Sequence, residues 1–268
     1  MPEEQSLKLI IAGALFLALF AGEHFFPYFK NRRQHSLHSM RNLSLAAFNS
    51  AISVIIYITL LSHVCAWTLE NKFGLLNYFS LTGISSFIIA FVLIDAWQYL
   101  WHRLNHAVKL LWRFHQVHHA DKDMDASTGL RFHTVEIIYS SLIRILIIPL
   151  LGLQIEHLIV YEAILLPVIF FHHSNINLPE SIDRLLRSII VTPHIHRLHH
   201  SDIRTETDSN YASVFSFWDR LFNTYTMRSI EQQFNLGLGE SFSEREWNRL
   251  LGILKLPFQK ISNPSNQP

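Results

Sequence analysis

Three long apolar runs constrain the fold of this chain most strongly. They cover residues 7–26, 45–67 and 81–100. Runs of roughly 20 apolar residues exceed the length of ordinary β-strands and match the thickness of a bilayer, so we interpret them as retained transmembrane helices. A signal peptide is the alternative for the first run. It would need a basic flank and a small-residue cleavage site, whereas the flank here carries Glu3 and Glu4.

The composition agrees with a membrane protein. Charged residues make up 16% of the chain, against about 25% in ordinary soluble domains, and the mean hydropathy is +0.19. The net charge of +1 gives no case for a nucleic-acid binder. The single cysteine, Cys65, excludes an internal disulfide and a thiolate cluster, so any metal would have nitrogen and oxygen ligands.

A fourth apolar stretch, residues 135–171, is interrupted by Pro149, Gly152 and Pro167. Glycine and proline divide it into two pieces of about 15 residues, which is short for full spans. We therefore predict a helical hairpin that penetrates part or all of the bilayer. Both ends of a hairpin return to the same side, so His133, at one end, should lie near the histidines at the other.

The loop charges predict the orientation. Basic residues are concentrated in residues 30–41, between the first two runs, and the positive-inside rule places this loop in the cytoplasm and the N-terminus outside. The third helix then ends on the cytoplasmic side near Trp101. The predicted fold is all-α, with three membrane spans, the hairpin and a cytosolic helical cap. We expect His35 and His38, in the basic loop, to tolerate replacement.

The same pattern predicts the domain organisation. Residues 1–100 should form the N-terminal transmembrane helices, residues 101–228 a histidine-rich region that includes the hairpin, and residues 229–268 a C-terminal cytosolic tail. The last ten residues, 259–268, are polar and rich in proline and asparagine, and we expect them to be disordered.

Histidine is concentrated in the middle of the chain, where 13 of the 17 copies lie between His102 and His200. Residues three and four apart share one face of a helix. A lone histidine is usually a surface residue or a satisfied polar one, but several same-face clusters suggest a metal site, since imidazole is the commonest protein metal ligand. The clusters are His102/His106 (HxxxH), His115/His118/His119 (HxxHH) and His196/His199/His200 (again HxxHH).

The donor set limits the kind of metal site. With His172 and His173 the chain offers more imidazoles than one tetrahedral zinc needs, which suits two ions. No Glu-x-x-His pair lies near the clusters, unlike in soluble diiron bundles, and Gln116 follows His115 where an HExxH protease needs glutamate. Asp95 could orient a ligand imidazole or could simply be a polar residue at the helix end.

A series of motifs resembles the fatty acid hydroxylase and sterol desaturase superfamily over roughly residues 95–225: HRLNH, HQVHH, RFHTVE, HHSNI, TPHIHRLHHS and NYASVFSFWDRLFNTY. The resemblance implies an integral membrane enzyme with a histidine-bound diiron centre that uses O₂ to hydroxylate or desaturate a lipid or sterol. The metal ligands it implies are His102, His106, His115, His118, His119, His173, His196, His199 and His200.

The resemblance leaves several positions open. The position of His172 varies in the family pattern. The RFHTVE segment is usually RFHPxE, so His133 is either a tenth ligand or a group that supports the ligands. Asn223 replaces a frequent glycine and should affect a turn. We expect three further residues to pack against the cap and brace it: Trp218, Asp219 and Arg220.

The resemblance also implies cofactors and partners. Two iron ions, for which zinc could substitute, would act with O₂ and an external electron donor. That donor is a separate electron-transfer protein, because the chain has no flavin or nicotinamide fingerprint and no ferredoxin motif. The membrane helices would form a channel for the lipid or sterol substrate, with no role for nucleic acid. We expect the bacterial inner membrane, or the endoplasmic reticulum in a eukaryote, with the active site on the cytoplasmic side.

Two other functions compete with an enzyme. A histidine-rich metal transporter would place its ligands near the bilayer midplane, whereas here they follow the helix ends. A catalytically inactive family member would act as a scaffold, yet every histidine of the pattern is present. Hydroxylation and desaturation fit the residues equally well.

Overall fold

The chain forms helices throughout the part that the computed structural model describes, which is residues 2–30, 35–229, 235–239 and 249–259. Extended backbone in these ranges is limited to isolated antiparallel bridges such as Pro27 with Ile176. The helices are α1 (Pro2–Phe25), α2 (His35–Ser53), α3 (Thr59–Glu70), α4 (Leu75–Tyr78), α5 (Gly83–Ala107), α6 (Lys109–His119), α7 (Thr134–Leu151), α8 (Ile155–His173), α9 (Glu180–Leu186), α10 (Pro193–His199), α11 (Arg204–Thr207), α12 (Phe217–Leu221) and α13 (Leu250–Lys255).

Three of these helices are long and apolar enough to cross a membrane: α5, α7 and α8. The prediction of membrane-spanning helices is therefore confirmed, and α5 contains most of the third predicted run. The two halves of the hairpin are longer than the sequence suggested. α7 continues through Pro149 to a left-handed Gly152 (φ +77°), and α8 continues through Pro167, so they reach 18 and 19 residues.

The first two predicted runs differ from each other in form. The run at 7–26 lies in one continuous helix, α1 (Pro2–Phe25), and its side chains are described from Gly13 onward. The run at 45–67 is divided among α2, a π-helical turn at Val54–Ile58 and α3. α2 begins at His35, so the second half of the predicted basic loop is helical and His38 is buried.

Packing brings three helix ends to one side. The C-terminal end of α5, the N-terminal end of α7 and the C-terminal end of α8 all border the histidine clusters, so the hairpin returns to its starting side, as predicted. At the opposite side the turn after α3 closes on the hairpin tip. A Cβ on Gly74 (φ +95°) would lie 2.1 Å from the Pro149 carbonyl oxygen, so only glycine fits there.

Two apolar clusters hold the histidine region in place. α5 and α8 pack through Ile94 and Leu165 in the largest cluster. A second cluster lies behind α6, where Ile253 and Leu256 from the C-terminal part of the chain cover Val117. Burying each such side chain contributes roughly 1.5–3 kcal/mol. In contrast, Leu142, Leu146 and Leu150 of α7 are exposed at four-residue spacing, as on a lipid-facing surface.

The predicted C-terminal boundaries stay largely untested. Of the tail predicted at 229–268, the structure describes 229, 235–239 and 249–259. The disorder predicted for 259–268 falls on positions 260–268, which lie outside the described residues, apart from Gln259.

Candidate metal centre

All nine histidines expected to bind metal converge at the ends of α5, α6, α8 and α10. They form two groups, and within each group one ring nitrogen per residue lies within 4.8 Å of the others. Every member is buried except the partly exposed His102. We call them the five-histidine group (His102, His106, His115, His119 and His199) and the four-histidine group (His118, His173, His196 and His200).

Helical geometry explains the division. Histidines four apart stay together: His115 and His119 both join the five-histidine group, and His196 with His200 joins the four-histidine group. The histidine between them in each HxxHH motif turns toward the other group. Each copy of the motif therefore contributes to both groups, and the groups touch where the rings of His119 and His200 stack with centroids 4.4 Å apart.

Ring nitrogens approach one another in pairs. The Nε2 atoms of His102 and His199 are 3.0 Å apart, and Nε2 of His173 lies 3.1 Å from that of His118 and 3.0 Å from that of His196. Two ligand nitrogens at right angles and about 2.1 Å from one ion would be about 3 Å apart. The spacing fits imidazoles arranged around a shared cation.

Several imidazoles are oriented through the opposite nitrogen. Nδ1–H of His102 donates to the Tyr211 carbonyl oxygen at 2.8 Å, and that of His199 donates to the Ser209 carbonyl oxygen at 2.6 Å. In the four-histidine group, His173 donates in the same way to its own helix at 2.8 Å. A proton held at Nδ1 leaves Nε2 bare for a metal, which is the usual support of a ligand histidine.

Two carboxylates provide the same support, and the sequence did not identify them. His115 Nδ1 lies 2.7 Å from a carboxylate oxygen of the buried Glu136, and His106 Nδ1 lies 3.4 Å from Asp208. Glu136 is the acidic residue of RFHTVE, so its motif was visible although its partner was not. Nothing in the local sequence connects Asp208 to His106, which lies about 100 positions earlier.

Several buried ring nitrogens have no hydrogen-bond partner. In the five-histidine group they are Nε2 of His106 and His115 and both ring nitrogens of His119. In the four-histidine group Nδ1 of His118 is one example. An unsatisfied buried polar group costs about 1–3 kcal/mol, so a concentration of them indicates ligands. An all-imidazole set suits zinc, copper, iron or nickel.

The protonation state also suits metal binding. Burial, assisted by neighbouring imidazoles, holds the pKa of His118, His119 and His200 well below the ordinary value. Burial lowers the pKa of His199 to about 3. These rings are neutral at physiological pH, and neutral imidazole is the form that ligates a metal.

Asp95 does not orient a ligand imidazole, in contrast to one of the two alternatives above. One carboxylate oxygen accepts from the Tyr161 hydroxyl at 2.9 Å. The other accepts from Trp218 Nε1 at 2.8 Å and from the backbone N–H of Phe215 at 3.1 Å. Asp95 therefore fastens the 215–218 segment to the middle of α5.

His133 and His172 belong to neither group. His133 Nδ1 accepts from the Val135 N–H at 3.1 Å and caps α7, so its Nε2–H donates to the Leu254 carbonyl at 3.2 Å. Both nitrogens are used by backbone, which argues against a tenth ligand. The His172 ring packs against His196 with centroids 4.0 Å apart.

The bracing role expected of Trp218, Asp219 and Arg220 is confirmed. Asp219 accepts from the N–H groups of Tyr211 and Ala212 at 2.8 and 3.0 Å. These bonds fix the Tyr211 carbonyl, which accepts the hydrogen bond from His102. Trp218 binds Asp95, and Arg220 donates to the Ser216 carbonyl. The nearby Asn223 adopts φ +55°, a left-handed turn that asparagine tolerates.

A cavity of about 260 Å³ leads from both histidine groups into the space between α5, α7 and α8. His102, His115, His118 and His173 border its inner end. Its walls are largely apolar and include Trp97, Trp101, Ile137 and Ile169. The cavity therefore connects the two histidine groups with the space between these membrane-length helices.

Membrane-length helices that end in an all-histidine double cluster define a histidine-box membrane protein. The chain belongs to the fatty acid hydroxylase family, whose sequence profile matches residues 87–224, about half of the chain. The match includes all nine histidines of the two groups.

Three relatives illustrate the range of the family. Human alkylglycerol monooxygenase is 33% identical over 143 residues, which are 51% of this chain and 29% of the relative. Ornithine lipid hydroxylase OlsE from Rhizobium tropici is 28% identical over 138 residues (52% and 41%). Human cholesterol 25-hydroxylase is 26% identical over 145 residues (53% and 52%). The alignments thus span about half or less of each relative. No solved structure matches the chain.

Proposed function

We propose that this protein is an integral membrane oxidoreductase that hydroxylates a C–H bond of a lipid or sterol. One observation carries the proposal: nine histidines in two adjoining groups border a largely apolar cavity between membrane-length helices. Family membership supports it, and the monooxygenase and hydroxylases among the relatives favour hydroxylation over desaturation.

The five-histidine and four-histidine groups would each hold one iron ion, and zinc could occupy the same ligands. When bound, the iron ions supply the activation of O₂ that allows an unactivated C–H bond to be oxidised. Electrons would come from a separate electron-transfer protein. We retain the predicted domain division as part of this proposal: N-terminal transmembrane helices at 1–100, a catalytic part at 101–228 that includes the hairpin, and a tail at 229–268.

The protein's own residues would position the ligands and the substrate. Glu136 and Asp208 hold the protons of His115 and His106 on Nδ1, which would leave Nε2 of each ring bare to bind an ion. The cavity walls would exclude water and hold the chain to be oxidised beside the two histidine groups, because members of both groups border the cavity. Stable placement of a reacting bond beside the oxidant is a large part of such catalysis.

The location of the clusters favours this enzyme over a metal transporter. The histidines of α5 and α8 lie at the last turns of these helices. A transport site would lie midway along them. We further propose that this side is cytoplasmic, in the bacterial inner membrane or in the endoplasmic reticulum. A catalytically inactive scaffold has no need to bring together nine imidazoles, eight of them buried.

Replacement of one histidine in each group tests the proposal. We expect the purified protein to bind about two metal ions. Replacing His118 or His199 with alanine should abolish lipid hydroxylation, measured by mass spectrometry of extracted lipids at matched expression. Groups that act as one unit are not additive, so the double variant should be scarcely worse than either single. His63→Ala, at an exposed position on α3, is the control.

Three results would contradict the proposal: one ion or none in folded protein, substantial turnover in either single variant, or losses that simply add in the double variant. Additive losses are what two independent polar helix faces would give.

A further inference from the structure

Large apolar side chains are exposed on α9 and α12. Both helices follow α8, the last of the membrane-length helices. Hydrogen bonds join the two segments: Ser216 N–H donates to the Ile189 carbonyl at 3.1 Å, and Ser216 Oγ donates to the Arg187 carbonyl at 2.7 Å. Exposed apolar patches of this kind mark interaction surfaces. We define the apolar patch by Ile182, Leu185, Ile189, Phe217, Leu221 and Phe222, all of them exposed.

The apolar patch lies beside the membrane-spanning part of α5. The Phe215 ring contacts Phe91 with centroids 5.5 Å apart, and the Phe222 ring stacks on Tyr99 at 5.1 Å. Phe91 precedes His102 by 11 residues, and at about 1.5 Å per residue this places Phe215 roughly 16 Å along α5 from the histidine end.

The membrane boundary on this side lies close to the histidines. The end of α1 pairs with the backbone that follows His173 through the Pro27–Ile176 bridge, and Phe25 and Phe26 there are exposed. Aromatic residues favour the membrane–water interface. From this level, a 20-residue apolar helix is needed to cross the hydrocarbon, so the middle of α5 must lie within it.

We infer that the apolar patch is inserted into the hydrocarbon layer, so that α9 and α12 form an element that re-enters the bilayer from the histidine side. The occupant of the patch is the lipid bilayer itself, because Phe215 and Phe222 pack the patch against the part of α5 that crosses the bilayer. The exposed Arg184 and Arg220 flank the patch, and both have partners in the protein: Arg184 pairs with Glu180, and Arg220 donates to the Ser216 and Arg187 carbonyls. This inference does not depend on the reaction or on the metal.

The insertion also explains Asp95. In the hydrocarbon layer, an unpaired backbone N–H or indole N–H costs several kcal/mol. Asp95 accepts both the Phe215 N–H and the Trp218 indole N–H, which are two polar groups of this segment that face α5.

Spin labels at single cysteines can measure the depth of the patch. The test uses the full chain in phosphatidylcholine and phosphatidylglycerol vesicles, with Cys65 replaced by alanine. Labels are placed by Leu221→Cys and, as a second position, Ile189→Cys. Leu146→Cys on the exposed face of α7 is the lipid reference, and Lys122→Cys, exposed beyond α6, is the water reference.

Accessibility to oxygen and to a water-soluble nickel chelate separates the outcomes. We expect the labels at 221 and 189 to resemble that at 146, with high oxygen and low nickel accessibility. Labels that resemble the one at 122 would show the patch in water and would overturn the inference. Protection from both reagents would show that protein covers the patch, such as a second copy, and would overturn it as well. Elution as the native species in gel filtration confirms that each labelled variant is folded.

Discussion

At the scale of single residues, the sequence predicted which histidines come together better than it predicted the groups that orient them. Histidine spacing selected eight side chains and the family resemblance added His173, and the structure brings all nine together. The supports come from distant elements: the carbonyls of Tyr211 and Ser209 and the carboxylate of Glu136. A backbone carbonyl leaves no trace in residue type, and pairing across the fold cannot be read from spacing.

Glu136→Gln should weaken metal binding without changing the ligands. The amide cannot hold the imidazole as a carboxylate does, and loss of such a support typically lowers metal affinity about 10–100-fold. Metal retained during titration with a chelator, measured by elemental mass spectrometry, gives the affinity. Glu70→Gln, at an exposed position on α3, is the matched control. Equal retention in the two variants would show that Glu136 does not support the site.

His38 shows where residue-level reasoning failed. It was expected to tolerate replacement as part of a basic loop, but it is buried and bridges two carboxylates. Its Nε2 lies 2.8 Å from Asp121 and its Nδ1 lies 3.0 Å from Asp125. These contacts attach α2 to the loop that follows α6. A hydrophilic run in the sequence does not distinguish a solvated loop from a buried ionic network.

The His38 network predicts a dependence of stability on pH. Burial opposes the charged ring, but Asp121 and Asp125 outweigh it and raise the pKa of His38 to about 10. A raised pKa stabilises the fold fully below about 6.5, the unfolded value, and this contribution is lost as pH rises through about 10. The melting temperature of His38→Gln should therefore fall well below that of the wild type at pH 6, and the difference should shrink toward pH 10. A difference that is constant with pH would exclude a charged His38.

At the scale of elements, the long apolar runs predicted where helices occur better than single prolines predicted where helices end. The hairpin was expected from its composition, yet Pro149 and Pro167 did not shorten its helices, because each proline lies within a packed, membrane-length helix. The run at 45–67 was expected as one helix but contains a π-helical turn. The packing of α13 behind α6 has no local signal, since it joins parts of the chain more than 100 residues apart.

The 3₁₀ turn at Ala126–Leu130 packs so closely on α8 that Gly129 should not accept a side chain. A Cβ there would lie 2.6 Å from Ile169 Cγ2 and 3.2 Å from His173 Nδ1. The Cγ2 group is close to the helix backbone and cannot swing away. Gly129→Ala should cost about 1–3 kcal/mol of stability and reduce the metal content of the four-histidine group.

Ile169→Ala offers a matched rescue, since it removes the contacting methyl group. The double variant should be more stable than the sum of the two single losses predicts, as coupled neighbours are. Thermal unfolding and metal content are both measured. If the stability losses of the two single variants simply add in the double variant, the strain in Gly129→Ala does not arise from its contact with Ile169.

At the scale of the whole molecule, the site depends on three helix ends that meet on one side of the membrane. α5 and α8 arrive there, α7 departs, and α6 and α10 complete the two groups. The sequence predicted this meeting from span counting and from the hairpin. It could not predict the division of each HxxHH motif between both groups, which depends on how α6 and α10 face each other.

The last prediction concerns which side of the membrane the histidine groups occupy. The basic residues at 30–41 predict that this side is cytoplasmic, and the turn after α3 packs against the opposite end of the hairpin. In a Cys65→Ala background, Asn71→Cys and Lys122→Cys, both exposed, mark the two sides. In intact bacterial cells a membrane-impermeant maleimide should label position 71, whereas position 122 should react only after permeabilisation. The reverse pattern would invert the orientation and place the proposed electron donor outside. Labelling of both positions in intact cells would show that the segments between them do not cross the membrane as proposed.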